Sequence, residues 1–152
     1  KAINKYIKFS SDFIIGYPGE TEKDFNDTIK LVKKIGFINS YSYIFSPRPG
    51  TPAASKKLNN LKESKKRLRV LQDILEDFQQ QENKKYLNEY SEVLIENKLK
   101  DQKKYFARTK NMTPVIFESE TCKPGDLARI KITSINKKYL FGSHELDKDR
   151  AA

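Results

Sequence analysis

Apolar residues in this chain follow two different periods, and the change falls near Tyr86. Ser10 to Ile15 is a short, β-rich apolar run that stops at Gly16-Tyr17-Pro18-Gly19, a stretch that continues neither a strand nor a helix. A strand ending in a tight loop is expected. Thr21 then precedes Glu22 and Asp24, where a hydroxyl caps free backbone N–H groups and acids complement the helix dipole. Phe25, Ile29, Val32 and Ile35 fall three or four apart on one stripe, Lys33 and Lys34 occupy the last turn, and Gly36 is placed to end the helix. A second β-rich run, Tyr41 to Phe45, completes a strand–helix–strand order, the unit that builds parallel sheets. It ends at Ser46-Pro47-Arg48-Pro49-Gly50-Thr51-Pro52, whose prolines stiffen an extended loop. Helical patterning returns from Leu61 to about Lys85, with Leu61, Leu68, Leu71, Ile74 or Leu75, and Phe78 on a stripe. Ahead of the first strand, Ile3, Tyr6, Ile7 and Phe9 recur at nearly helical spacing.

Beyond Tyr86 the period shortens to two. Runs at Glu92 to Glu96, Tyr105 to Thr109, Pro114 to Phe117, Leu127 to Ile135 and Tyr139 to Ser143 alternate apolar with polar between Asn, Lys, Gly and Pro turns. The alternation is clearest where Arg129, Lys131 and Thr133 take one face and Ile130 and Ile132 the other. Short strands at this density predict a small antiparallel β-barrel. The fold class is therefore α/β, a βαβα unit over residues 1–85 followed by a barrel over 86–146, with 147–152 as a frayed tail.

Composition narrows the partners. The chain has 152 residues, enough for one ordinary domain or two small units, with 30 Lys and Arg against 20 Asp and Glu and a formal net charge of +10. That balance favours a polyanionic partner such as nucleic acid or anionic lipid, and its spread along the chain implies a broad basic face. A lysine-rich surface that merely solvates the protein would give the same count. Neither an apolar stretch of about 18 residues nor a basic-then-apolar leader is present, so a soluble cytoplasmic protein with no membrane contact is expected. The chain begins at Lys1, not Met, and reads as a part of something longer. Cys122 is the one cysteine and His144 the one histidine, so no disulfide framework and no self-contained zinc or iron–sulfur site can form within one chain.

Two regions could carry chemistry. The loops after the parallel strands, Gly16-Tyr17-Pro18-Gly19-Glu20-Thr21 and Ser46 to Thr51, lie at the carboxyl ends of their strands, the ligand-binding face of parallel α/β folds. Gly16 and Gly19 permit close backbone approach, and the following helix offers N–H groups to a carboxylate or phosphate; a simple turn with a helix cap would read the same way. Arg48, braced by prolines, presents a guanidinium rigidly, although a surface arginine in a stiff loop is an equal reading. In the barrel, Arg108, Lys110, Arg129, Lys131, Lys137 and Lys138 sit near Tyr105, Phe106, Tyr139 and Phe141. Basic groups grip phosphates and exposed rings stack on unpaired bases. Most of those rings are expected in the core, which a barrel of this size must fill. Cys122 lies in a turn and is expected to be a free thiol without a role.

These residues also match a family. DFIIGYPGET followed by DF resembles the DFI-x-G-(Phe/Tyr)-PGET motif of the methylthiotransferase branch of radical S-adenosylmethionine enzymes, and YIFSPRPGTPA resembles its next signature almost residue for residue. From about Tyr86 to Glu145, FARTKN, then Gly125-Asp126 before a basic strand, then a closing LFG are similar to the TRAM domain, a small RNA-binding barrel. The variant SPRPGTPA leans toward the MiaB-like tRNA enzymes. The resemblance implies a carboxy-terminal part: the last βαβα portion of a radical, partial TIM-like barrel, then TRAM. It implies, for the full enzymes, attachment of a methylthio group to isopentenyl-adenosine beside the tRNA anticodon, using S-adenosylmethionine and two 4Fe–4S clusters. The six cluster-binding cysteines it calls for do not occur in this sequence, so no cluster or cofactor is expected on this chain alone. Gly16, Tyr17, Pro18, Gly19, Glu20 and Arg48 would line the cofactor side, the barrel's basic residues would hold tRNA, and a separate chain could carry the missing regions. A stand-alone TRAM module that binds RNA without catalysis is the alternative.

Overall fold

The computed structural model describes residues 7–100 and 103–144. The expectations for Ile3 and Tyr6, and for the tail from 147, lie outside them. Two compact units separate between Phe78 and Gln79.

In the first unit, β1 (Asp12–Ile15) leads through the Gly16–Thr21 loop into α1 (Glu22–Ile35), β2 (Tyr41–Ile44) and α2 (Leu61–Lys84), whose residues from Gln79 onward belong to the second unit. Ile7 and Phe9, read at helical spacing, form no helix; the Phe9 carbonyl instead accepts from Ile38 N–H at 2.9 Å, which ties the lead-in beside the sheet. α1 starts where the sequence sets a reciprocal cap. The Thr21 hydroxyl accepts from Asp24 N–H at 3.2 Å, and the Asp24 carboxylate accepts from Thr21 N–H at 2.9 Å. It stops at Gly36, which takes the left-handed φ of 69° and donates its N–H to the Val32 carbonyl. The Asn60 carboxamide oxygen caps α2 by accepting from Lys62 and Glu63 N–H.

β1 and β2 pair in parallel, Phe13 beside Ser42 and Ile15 beside Ile44. One face of this pair meets the helices: Ile15, Phe25, Val32, Leu71 and Leu75 are buried together, with Phe13 and Phe37 packed edge to face at 5.3 Å. The other face carries Ile14, Tyr41 and Tyr43, all exposed. It follows from the strand period of two, which sends neighbours to opposite sides.

The second unit is a closed barrel of β3 (Tyr90–Lys98), β4 (Lys104–Thr109), β5 (Pro114–Glu118), β6 (Leu127–Ile135) and β7 (Leu140–His144), in the order β3-β4-β5-β7-β6. It is not wholly antiparallel as expected from the sequence, because β5 and β7 pair in parallel. A ring with an odd number of strands cannot alternate direction all the way round, so at least one neighbouring pair must run the same way. Inside lie Val93, Ile95, Tyr105, Ala107, Val115, Phe117, Ala128, Ile130, Ile132 and Leu140. Gly142 faces this interior, where an added Cβ would sit 2.5 Å from the Lys131 carbonyl oxygen; only glycine fits.

The fully buried Asn83 fastens the last turn of α2 within this unit. Its carboxamide accepts from Gln79 Nε2 at 2.9 Å and donates to the Asn136 carbonyl at 3.2 Å, in the β6–β7 turn. A buried amide with both ends bonded orients that turn.

Candidate nucleic-acid interface

The barrel's outer surface is set by register. β4 and β6 both run antiparallel to β3, so they run in one direction, and the turns that leave them, 110–113 and 136–139, emerge at the same rim. That rim holds Lys110, Lys137 and Lys138 and the start of β3 at Tyr90. Alternation along β6 turns Arg129 and Lys131 outward while Ala128, Ile130 and Ile132 are buried, as the sequence pattern requires.

The six basic positions differ in what surrounds them. Arg108 is already engaged: Nε lies 2.9 Å from the Glu96 carboxylate, Nη1 donates to the Met112 carbonyl at 3.0 Å, and Cζ sits 5.2 Å from the centre of the Phe106 ring. Its charge is locally neutralised. Lys110, Arg129, Lys131 and Lys138 have no carboxylate within ion-pair distance among the described residues. Instead the Arg129 guanidinium lies 4.7 Å from the centroid of Tyr90, and Lys131 Nζ lies 5.7 Å from the same centroid. Tyr90 is the ladder partner of Lys131, and Glu92 that of Arg129. In the turn that carries Lys137 and Lys138, the Asn136 side chain accepts from the N–H groups of Lys138 and Tyr139 at 2.8 and 2.7 Å.

The aromatic residues expected mostly in the core divide differently. Tyr105 is buried and stacks on Phe117 at 5.8 Å, whereas Phe106, Tyr139 and Phe141 are only half-buried. The period of two explains this for β4: Tyr105 and Ala107 point in, so Phe106 and Arg108 point out. Nothing in the sequence pattern singles out Tyr90. The apolar alternation read from the sequence starts at Glu92, and only the β3–β6 register brings Tyr90 to the basic pair.

Cys122 is buried in the barrel core with a free thiol, its Sγ 3.7 Å from His144 Nδ1, and the Ser119 hydroxyl lies 3.3 Å from the same nitrogen. Among the described residues no three Cys, His, Asp or Glu side chains are grouped to hold a metal ion.

In the first unit the two candidate loops are neighbours. Tyr17 and Phe45 pack edge to face at 5.1 Å, and Phe45 N–H donates to the Ile15 carbonyl at 2.8 Å. Within the first loop, the Glu20 carboxylate accepts from Gly16 N–H at 2.6 Å and pairs with Arg67 at 3.1 Å, both side chains largely buried. Asn59 donates to the carbonyls of Tyr17 and Glu20. The loop is thus held from within by its own carboxylate and by α2. Gly16 has φ 76°, and a Cβ there would lie 2.5 Å from the Ser64 hydroxyl; Gly19, with φ 91°, opens onto free space. Pro18 is buried and Arg48 exposed, the Arg48 carbonyl accepting from Thr51 N–H and hydroxyl at the turn. Among the described residues no helix is long and apolar enough to cross a membrane.

Comparison with known proteins agrees with the barrel. Residues 84–144 match the family model of the TRAM domain. The chain is 51% identical over 142 residues to a tRNA-2-methylthio-N(6)-dimethylallyladenosine synthase of Pelagibacter ubique (strain HTCC1062), a match covering 93% of this chain and 32% of that protein. A protein of the same name from Buchnera aphidicola subsp. Baizongia pistaciae is 43% identical over 91% of this chain and 32% of its own length. One from Vesicomyosocius okutanii is 38% identical over 93% and 32%. The chain spans about a third of the length of these curated relatives, their carboxy-terminal third.

Proposed function

We propose, from the premise that the chain belongs to the TRAM-bearing tRNA methylthiotransferase family and spans about a third of its members, that it is the tRNA-holding portion of such an enzyme. The barrel would grip the anticodon stem-loop of a tRNA whose isopentenyl-adenosine the complete enzyme methylthiolates. The βαβα unit would supply the closing strands of the radical barrel. The observation that carries this reading is the rim and outer face on which Lys110, Lys138, Arg129 and Lys131 gather without carboxylate partners among the described residues. Unneutralised cations on a rigid surface are what a phosphate backbone attracts.

The family's iron–sulfur clusters do not fit the residues present. A 4Fe–4S cluster takes three or four thiolates. This sequence offers Cys122 alone, and that thiol is buried in the barrel. No chemical step through a cluster is assigned to this chain, and we expect no methylthiolation from it by itself. Reconstituting the isolated chain with iron and sulfide and finding methylthiolated adenosine by mass spectrometry would overturn that expectation.

S-Adenosylmethionine fits better. Gly19 leaves its backbone open, Gly16 to Glu20 form a fixed loop beside Phe45, and Arg48 presents an exposed cation at the same carboxyl ends of the strands. Gly16, Tyr17, Pro18, Gly19 and Glu20 would shape the wall, and Arg48 would pair with a carboxylate. When bound, the cofactor supplies the methyl group and the radical initiator.

The test is binding of a synthetic anticodon stem-loop, followed by fluorescence anisotropy over a series of salt concentrations. Affinity should fall as salt rises, and Arg129→Glu with Lys131→Glu should weaken it about tenfold or more while lowering the salt slope by roughly two. Binding indifferent to salt and to both substitutions would sink the reading.

A further inference from the structure

Tyr90 lies at the start of β3, half-exposed on the outer face, opposite Lys131 in the β3–β6 ladder. Two cations converge on it, Arg129 with its guanidinium 4.7 Å from the ring centre and Lys131 with its ammonium 5.7 Å away. Neither has a carboxylate within ion-pair distance among the described residues. The nearest acid along the strand, Glu92, stands directly across from Arg129 and makes no such pair with it. Some cations of this barrel are neutralised instead, Arg108 by Glu96 at 2.9 Å and Lys103 by Glu120 at 3.2 Å.

Two like charges drawn to one ring repel each other, and the negative face of the ring offsets part of that repulsion. The ring restricts both side chains without occupying their N–H donors, since a π-face is not a hydrogen-bond acceptor of comparable strength. Both sets of donors therefore remain available, side by side, on a rigid strand. Such an arrangement suits an anion with several acceptor oxygens, and a guanidinium and an ammonium together supply both a planar fork and a point charge.

We propose that Tyr90 is a positioning residue that holds Arg129 and Lys131 as a clamp for one backbone phosphate of the bound RNA. This rests on the RNA-binding reading given above and names its principal phosphate subsite. The ring acts through the two cations and makes no stack with a base.

The test uses the whole chain and a synthetic RNA stem-loop, with affinity measured by anisotropy across a salt series and folding checked by thermal melting. Tyr90→Leu should weaken binding roughly two- to fivefold, the size of an exposed cation–π contribution, while Tyr90→Phe, which keeps the ring, stays within about twofold. Arg129→Gln and Lys131→Gln should each lower the salt slope by about one. In the triple variant, adding Tyr90→Leu to Arg129→Gln and Lys131→Gln should cost nothing further, because the ring then has no cation to hold. Wild-type binding that is salt-sensitive but unmoved by Tyr90→Leu would overturn the clamp and leave the RNA-binding reading standing. A full loss from Tyr90→Leu on top of the two cation variants would show a ring stacked directly on a base, and would overturn it also. Absence of any binding by the wild-type chain would remove both.

Discussion

In the barrel every strand has a hydrogen-bonded neighbour on both edges, whereas among the described residues β1 and β2 have only each other. The contrast reaches the side chains. Val115, Ile130, Ile132 and Leu140 have no accessible surface, while Ile14, Tyr41 and Tyr43 expose 57%, 59% and 55% of theirs on the uncovered face of the two-stranded sheet. A ring of strands encloses a core by closing on itself; a parallel pair covered by helices on one side leaves the other side apolar and open. Similar β-rich runs thus lead to a self-sufficient core in one region and a half-finished one in the other. The open face is what strands of a larger parallel barrel would require, in keeping with the proposed place of this unit.

The sharpest way to break that comparison is to remove one large side chain from each region. Phe117, 2% exposed inside the barrel, should cost about 3–5 kcal/mol as Phe117→Ala, because the ring's transfer energy and the cavity both count. Tyr43→Ala, on the open face, should cost no more than about 1 kcal/mol, the scale of a strand-propensity change. Urea denaturation followed by circular dichroism measures both. A Tyr43→Ala deficit as large as that of Phe117→Ala would mean that the open face is covered after all.

The first unit makes up for its thin core with a polar tie. Glu20, held by Gly16 N–H and by Arg67, joins the loop after β1 to α2, and the Arg67 guanidinium also lies 5.6 Å from the Phe25 ring centre. Arg67→Ala leaves a carboxylate largely buried without its counter-charge and should destabilise by about 2 kcal/mol, less than a fully buried pair because some water reaches it. Adding Glu20→Gln should recover part of that loss in the same denaturation measurement. If the double variant is no better than Arg67→Ala alone, the tie is packing, not charge.

How much of this was legible in the sequence depends on how far apart the partners lie. Thr21 and Asp24 are three residues apart, and the cap was readable; Gly36 and the Arg129–Thr133 alternation were readable for the same reason. Glu20 and Arg67 are 47 positions apart, and nothing local marks the pair. Arg108 reads as a free cation until the β3–β4 register, shifted by a bulge between Ile95 and Asn97, brings Glu96 against it. Tyr90 is invisible for a similar reason, since its meaning comes from Lys131 across the ladder. The parallel β5–β7 pair is a property of ring closure, which no strand pattern records. Periodicity assigns faces; register assigns neighbours, and the candidate sites are made of neighbours.

The smallest effect expected separates the two regions by pH. Asp24 is exposed, and its carboxyl is held below the ordinary value of 3.8, first by the Thr21 backbone N–H and then by the Thr21 hydroxyl. A carboxyl whose native value is depressed stabilises the fold above the unfolded value and loses that contribution as pH falls through the native one. The cap should therefore contribute at neutral pH and fade below about 3.8, where the unfolded chain takes up the proton first. Asp27, lowered chiefly by Lys30, should act in the same direction on the same helix. Thermal melts of wild type and Asp24→Asn should differ at neutral pH and converge in that acid range. The gap produced by Phe117→Ala, which is apolar packing, should not close there. A pH-independent Asp24→Asn deficit would mean that the side chain acts by shape and not through its charge, and would remove this distinction between the helical unit and the barrel.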